Sequence, residues 1–445
     1  MKKSIWNIEK RLDCGYLVYN TLTGGGVVLQ EDEYIKYKSK PEDLKSNIKS
    51  ILYENGLLTN FLEEDEYAFY WNFYHTLVYQ SIFDQLHLVL LPTYKCNMAC
   101  TYCFEQNKYL KDSLKYTFSI KALIDFIENL FNIYKFNKVR TVFYGGEPMI
   151  LLKEIVNITE ELNKWSSKNG IKYSFSIVTN GTILEKSALM KLIKYGLDKV
   201  QITIDGPESV HNIRRPFLNG KGTFKRIISN LDLFLKYSEI DVNIRINIDE
   251  HNCERIGELI DFFIQKGYTK KNNFNYYVGL ADPQKPPTDW TNSYIPLRLE
   301  QRIYTYLKAW NLIMEKEQNV VNMLDYHKYK FGLCPAKVYG SFFIDPNGDL
   351  YSCYSLVGNK EFKIGDIYNG PSPFYYRLFY LQDKKLKECL DVKCPYVPLC
   401  NAGCLYHAYV EHSDISQKVC QRKFYEDVWL RIKGEIYERI CRVQQ

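Results

Sequence analysis

No uninterrupted apolar run in the chain approaches the ~18 residues that a membrane-crossing helix needs, so no transmembrane span is expected. The first residues, MKKSIWNIEK, hold two lysines with no apolar core behind them and do not read as an export signal. There is no low-complexity tract and no fixed-period repeat. Charge of either sign is not in excess: +6 over 445 residues is too dilute to argue for a nucleic-acid partner. Nor is the composition that of a disordered chain, with 25% charged and 46% hydrophobic residues. The 38 tyrosines and 24 phenylalanines supply bulk for a large core. At ~100–200 residues per domain, this length suggests two to four domains.

The 13 cysteines are the informative surplus. Without an export signal a cytoplasmic location is expected. Structural disulfides are rare there, and clustered thiols more often bind metal or do chemistry. Ten of the 13 fall into two groups: Cys96, Cys100 and Cys103, then seven from Cys334 to Cys420. Cys14, Cys253 and Cys441 stand alone.

Four regions separate along the chain. Residues 1–82 contain GYLVYNTLTGGGVVLQ, which predicts a hairpin around Asn20 to Gly26. PEDLKSNIKSILYENGLL predicts a helix with Glu42 or Asp43 in its first turn and Gly56 after its end. From residue 83 to about 285, strands alternate with helices. The expected strands are 87–93, 138–145, 172–179, 199–205, 243–249 and 273–280; amphipathic stretches such as SIKALIDFIENLFNIY and RIGELIDFFIQ lie between them. That alternation means a parallel sheet. Six units suit a partly closed β/α barrel, with chemistry at the C-terminal strand ends. Residues 291 to about 330 read as mainly helical. The remainder is cysteine-rich, with little strand periodicity, and is expected to be loop-rich and organised by metal.

Cys96, Cys100 and Cys103 follow the first barrel strand as C-x3-C-x2-C. Three thiolates on one short loop suit a metal site, and three leave a coordination position open where four would close it. By spacing alone a structural zinc loop fits too. The second strand runs into Tyr144-Gly145-Gly146-Glu147-Pro148. There two glycines let the backbone approach a ligand closely, and the glutamate can accept from an ammonium. Together these residues, with Tyr102 before the last cysteine, resemble the radical S-adenosylmethionine (SAM) enzymes. The resemblance implies a 4Fe–4S cluster on the three cysteines, with SAM held on the fourth iron and cleaved to a 5′-deoxyadenosyl radical. It also implies that Gly145, Gly146 and Glu147 bind the SAM amino group. Further along, Thr179-Asn180-Gly181, Asp205-Gly206-Pro207, His211 and Arg215 follow strand ends, and strand five carries Arg245 and Asn247. By resemblance, Ser176, Asn180, Arg215 and Asn247 are candidates for holding the ribose and carboxylate of SAM. Asp205-Gly206 is also good turn chemistry.

Cys334 and Cys353 flank Gly348 as C-x13-G-x4-C; Cys389, Cys394, Cys400 and Cys404 follow as C-x4-C-x5-C-x3-C, then Cys420. This resembles the SPASM extension of radical SAM enzymes, which holds two auxiliary 4Fe–4S clusters. The resemblance implies Cys334, Cys353 and Cys404 on the first and Cys389, Cys394, Cys400 and Cys420 on the second. The chain departs from the usual C-x2-C at Cys389-x4-Cys394. It also supplies seven ligands where two complete clusters need eight, so the first auxiliary cluster has an open iron or takes His327 or a distant group.

The whole reads as an α/β chain: a winged-helix-like module at 1–82, a partial (β/α)6 barrel at 83–310, and a loop-rich SPASM domain at 311–445. The N-terminal pattern resembles the recognition elements of ribosomal-peptide maturases, which take a leader peptide as an added strand. The resemblance implies a radical SAM peptide maturase that removes a hydrogen from a precursor peptide and forms a thioether (sactipeptide or ranthipeptide type) or a carbon–carbon crosslink. Its partners would be a precursor with a leader sequence and an electron donor such as flavodoxin or ferredoxin. An anaerobic sulfatase maturase making formylglycine is the alternative. Those enzymes carry an aspartate directly after the second SPASM cysteine, where this chain has Tyr354. A non-catalytic iron–sulfur electron carrier would need no SAM pocket.

Overall fold

The computed structural model describes residues 1–103, 116–281, 299–316 and 333–444. His327 and much of the helical stretch expected at 291–330 lie outside the described residues; within that stretch, Leu299–Lys316 is a helix. The chain separates into two compact units: Met1–Leu77 with Glu317–Leu333 and Phe379–Gln445, and Val78–Lys316 with Cys334–Leu378.

In the first unit, β1 (Lys2–Lys3) pairs with β5 (Leu58–Thr59), while β2 (Asn7–Leu12), β3 (Gly15–Asn20) and β4 (Gly26–Leu29) form an antiparallel sheet in that order. The expected hairpin is β3–β4; β2 adds a third strand that the charged run NIEKRL conceals, because only Ile8 and Leu12 of its six residues are buried and apolar. The expected helix is split into a 3-10 turn at Pro41–Asp43 and a helix at Ser46–Glu54, with Leu44 extended between them. Val18 and Leu29 pack with Tyr37, Leu44 and Leu52 on one side. Ile8, Leu17 and Tyr19 pack with Tyr396 and Leu430 on the other. Both faces of this small sheet are therefore buried, one of them by the C-terminal segment.

The second unit is built on β6 (Gln85–Leu90), β7 (Lys138–Phe143), β8 (Lys172–Thr179), β9 (Leu197–Thr203), β10 (Asp241–Ile248) and β11 (Phe274–Leu280), each parallel to its neighbours and adjacent in chain order. All six lie where the alternation of strand and helix predicts, with ends shifted by three residues or fewer. Sequential parallel neighbours with right-handed crossovers place the connecting helices on one face and curl the sheet away from them. The helix Ile120–Tyr134 shows why these segments form. Ser119 caps it by accepting from the Ala122 amide, and Leu123, Phe126, Ile127 and Leu130 make one buried stripe. Truncating Phe126 to Ala should cost about 3–5 kcal/mol.

The sheet does not end at β6. β12 (Ser341–Ile344) pairs parallel to it, followed by β13 (Asp349–Tyr351), β14 (Gly365–Asp366) and β15 (Gly370–Pro371). The expectation of a loop-rich C-terminal region is corrected here. Residues 341–371 extend the barrel sheet, and long helices occupy Pro373–Asp391 and Leu430–Gln444. SFFI is too short, and too fully buried, to show a strand period. Among the described residues, no helix is long and apolar enough to cross a membrane.

Candidate functional site

The first cysteine loop leaves β6 under close control. Leu91 donates its amide to Ile344 O, and the Tyr94 hydroxyl donates to Asp345 at 3.1 Å. The loop then zips against residues 214–218: the amides of Ala99 and Thr101 reach the carbonyls of Pro216 and Arg214 at 2.9 and 3.0 Å. The Asn180 side chain donates to Asn97 Oδ1 at 2.8 Å and approaches Cys96 Sγ at 3.7 Å. The expected site residue Asn180 is thus placed directly against the cysteine loop.

Gly145 and Gly146 have a structural reason that sequence reasoning did not find. The amides of Gly146 and Glu147 donate to the carbonyls of Thr93 and Lys95. A Cβ on Gly145 would sit 2.5 Å from Thr93 O, and one on Gly146 2.3 Å from Lys95 O. The glycines let the second strand's exit lie on the backbone that leads into the cysteines. The fully buried Glu147 side chain accepts from Thr179 Oγ1 at 2.7 Å, the Asn180 amide at 2.6 Å and the Met149 amide at 2.9 Å. Burial pushes this carboxyl up to about 7, although those three hydrogen bonds oppose it. The carboxylate thus spends its acceptors tying the β7 exit to the β8 exit.

A second network joins the later strand ends. The Tyr102 hydroxyl donates to Asp205 and accepts from Arg215 Nη1 at 2.5 Å and Asn247 Nδ2 at 3.0 Å. Asp205, fully buried, also accepts from the Asn247 amide at 2.9 Å. Arg214 lies over the Tyr102 ring at 5.1 Å and is held by Asp249 at 2.7 Å. Arg215 and Asn247 are therefore brought together through Tyr102, the residue just before Cys103. Ser176 is buried on β8, opposite Val142 of β7. Asp205, Arg214, Asp249 and Tyr102's hydroxyl role were missed. Asp-Gly reads as a turn, and nothing in the sequence shows that this aspartate is buried.

The buried Arg214 and Arg215 keep donors without a hydrogen bond: Nε and Nη2 of the first, although its Nε faces Asp205 at 3.9 Å, and Nε of the second. Arg215 also lies close enough to the Cys100 thiol for each to shift the other. Burial first, then the Glu147 charge and the Cys100 thiol, push Cys96 up to about 12. Metal binding at this loop must therefore displace thiol protons. Among the described residues, no three His, Cys, Asp or Glu side chains are grouped tightly enough for one ion. The Cys96 thiol nevertheless senses both Cys100 and Cys103.

In the second unit, Cys334 precedes β12 and the buried Cys353 follows β13. In the first unit, Cys389 lies within electrostatic reach of Cys394, Cys400 and Cys420. The Cys389 thiol is pushed up to about 11 by burial, against the pull of Lys418, and the other three cysteines raise it further. The Cys394 amide donates to Cys389 O at 3.2 Å. Gly403, at φ +83, lets its chain approach Val419 O, beside Cys420; a Cβ there would stand 2.7 Å away. Lys393, Asn401 and Ala402 all adopt left-handed backbone (φ +52, +50 and +63). Such residues cost about 1–3 kcal/mol each and persist where the surroundings over-determine them. Cys404 stands just ahead of the helix Leu405–His412.

Comparison with known proteins gives the following likenesses. Residues 90–263 match the family model "Radical SAM superfamily". A cysteine-type anaerobic sulfatase-maturating enzyme of Clostridium novyi is 26% identical over 343 residues, 69% of this chain and 84% of that protein. The structure described as native anSMEcpe with bound AdoMet superposes with a TM-score of 0.60 at 20% identity, covering 79% of this chain and 99% of that one. Streptococcus suis SuiB bound to S-adenosylmethionine gives 0.53 at 17% identity, covering 95% and 99%. At these identities the superpositions establish the fold alone.

Proposed function

We propose that this chain, which carries a radical SAM domain over residues 90–263, is a peptide maturase that forms a thioether or carbon–carbon crosslink in a ribosomally made precursor. The observation that carries the reading is the Tyr102 network beside Cys100, with buried arginine donors left over for an anion. Three thiols on one loop, two of which act on the third, and those donors fit a 4Fe–4S cluster with the carboxylate of SAM. Cys96, Cys100 and Cys103 hold the cluster. When bound, cluster and SAM supply a 5′-deoxyadenosyl radical that takes a hydrogen atom from the substrate.

The chain's own residues prepare that event. Asn180 fixes the cysteine loop against the β8 exit. Arg215 and Asn247 hold the carboxylate and ribose, oriented through Tyr102; Ser176 serves the same ligand from β8. The Glu147 side chain is committed to Thr179, Asn180 and Met149, so the GGE segment meets the SAM amino group through main-chain carbonyls. Cys389, Cys394, Cys400 and Cys420 hold an auxiliary cluster, and the left-handed residues among them support this assignment. Cys334 and Cys353 are offered to another. An external electron donor of the flavodoxin or ferredoxin kind supplies the reducing electron.

The peptide as substrate is supported by the structure of SuiB bound to precursor peptide SuiA, which gives a TM-score of 0.50 at 16% identity. Because both faces of the β2–β3–β4 sheet are buried, a leader can add only at an edge strand. Tyr354, in place of an aspartate, weighs against formylglycine formation. Co-expression with a cysteine-rich precursor tests the reading. The product should lose the mass of two hydrogen atoms per crosslink; an unchanged mass, or a formylglycine, contradicts it.

A further inference from the structure

Three arginines of the second unit can be compared. Arg140 on β7 has Asp198 as its ion partner, and Arg214 has Asp249. Arg245 on β10, half-buried, has no carboxylate partner among the described residues. Its Nε donates to Asn247 Oδ1 at 2.7 Å. Its guanidinium lies across Gly279, where a Cβ would come within 3.2 Å of Nη2. Its strongest electrostatic neighbours are four phenols: Tyr277, its register partner on β11, then Tyr354, Tyr144 and Tyr102. The Tyr144 and Tyr354 rings pack together at 5.9 Å.

A guanidinium withdrawn from water is costly unless an anion meets it, and its planar fork matches a carboxylate. Neutral phenols do not supply that charge. The Nη donors therefore form an anion site walled by tyrosines, and Gly279 keeps it open. The SAM carboxylate already has the spare donors of Arg214 and Arg215 beside Cys100. Arg245 lies two residues before Asn247, roughly 7 Å further from the strand end. It is also within electrostatic reach of Tyr354, the residue that follows Cys353.

We propose that Arg245 receives a carboxylate of the peptide, an aspartate or glutamate side chain close to the residue that is modified. This rests on the peptide-maturase reading and makes Arg245 a specificity-determining residue.

The test uses reconstituted, SAM-loaded protein and a pair of labelled, capped peptides, identical except for a glutamate or glutamine beside a cysteine, with a third twin that carries lysine there. Binding is read by fluorescence anisotropy. The wild type should prefer the glutamate peptide by roughly tenfold or more. Arg245→Met should bind the two alike, Arg245→Lys should keep part of the preference, and Arg245→Glu should prefer a lysine twin. Equal or undetectable binding of both peptides by the wild type overturns the proposal. So does a glutamate preference that survives in Arg245→Met, or a defect of Arg245→Met confined to SAM affinity. Release of 5′-deoxyadenosine by the wild type is scored separately. Its absence sinks the radical reading, whereas its presence with indifferent peptide binding sinks only the Arg245 assignment.

Discussion

The two cysteine-rich sites are built in opposite ways. The first sits on eight consecutive residues, Cys96–Cys103, clamped by neighbouring strand exits: Gly145–Glu147 from β7, Asn180 from β8 and the 214–218 segment. The second collects Cys389, Cys394, Cys400 and Cys420 across 32 residues in which short helices are joined by turns, several of them left-handed, in the unit that also holds the N-terminal sheet. One is a short motif on a rigid frame. The other depends on a distant part of the chain to cover its flank, since Ile8, Leu17 and Tyr19 pack with Tyr396 and Leu430, and Cys394 packs at that core's margin.

That difference can be broken experimentally. The largest effect is expected at the first site. Gly146→Ala drives a methyl group into the carbonyls of Lys95 and Tyr94, at 2.3 and 2.4 Å. An overlap of this kind should cost about 3 kcal/mol or more and reduce SAM cleavage by about a hundredfold. Iron at the Cys389 group should be unaffected. Gly170→Ala, at φ +68 with open space around it, is the control and should cost about 1 kcal/mol with cleavage intact. Equal loss of iron from both sites in Gly146→Ala would show that the sites are not independent.

Leu17→Ala probes the second site from the far end of the sequence. Leu17 is fully buried, and its truncation should destabilise its unit by about 2–5 kcal/mol, read from urea midpoints. Iron retention at the Cys389 group should fall while the first site keeps its own. The reverse pattern would overturn the packing account. It follows that deleting residues 1–82 is a poor test of leader binding, because it strips the cover from the C-terminal core as well.

The most gradual effect is a pH dependence within the second unit alone. Burial, and then the Arg140 charge, lower His87 from 6.5 to about 4. Between those values the unfolded chain binds the proton and the folded one does not. Stability is therefore fully present above pH 6.5 and lost as pH falls toward 4, by up to about 3 kcal/mol. His87→Gln should flatten that slope in urea titrations of the metal-free protein; an unchanged slope would remove His87 from the account.

Much of the barrel was legible because buried parallel strands announce themselves as apolar runs between amphipathic helices. The segment KYSFSIVT is β8 from end to end. The cysteine loop and GGE segment were legible because their residues are close in sequence. What escaped was information held in register and burial. SFFI gives no period to read, and the charged β2 resembles a loop. Asp205 lies in an ordinary turn dipeptide, yet it anchors Tyr102 and Asn247. By sequence the glycines of the second strand serve ligand approach, whereas the backbone of Thr93–Lys95 is what occupies the space beside them.

The central claim is that Cys96, Cys100 and Cys103 hold a cluster whose open iron binds SAM. Reconstituted, reduced protein should release 5′-deoxyadenosine from SAM. The variant with all three cysteines changed to alanine should release none while keeping about 8 of about 12 irons per chain, the content of the two auxiliary clusters. Cleavage that persists in the triple variant, or a wild type that carries a single zinc at this loop, would contradict the account.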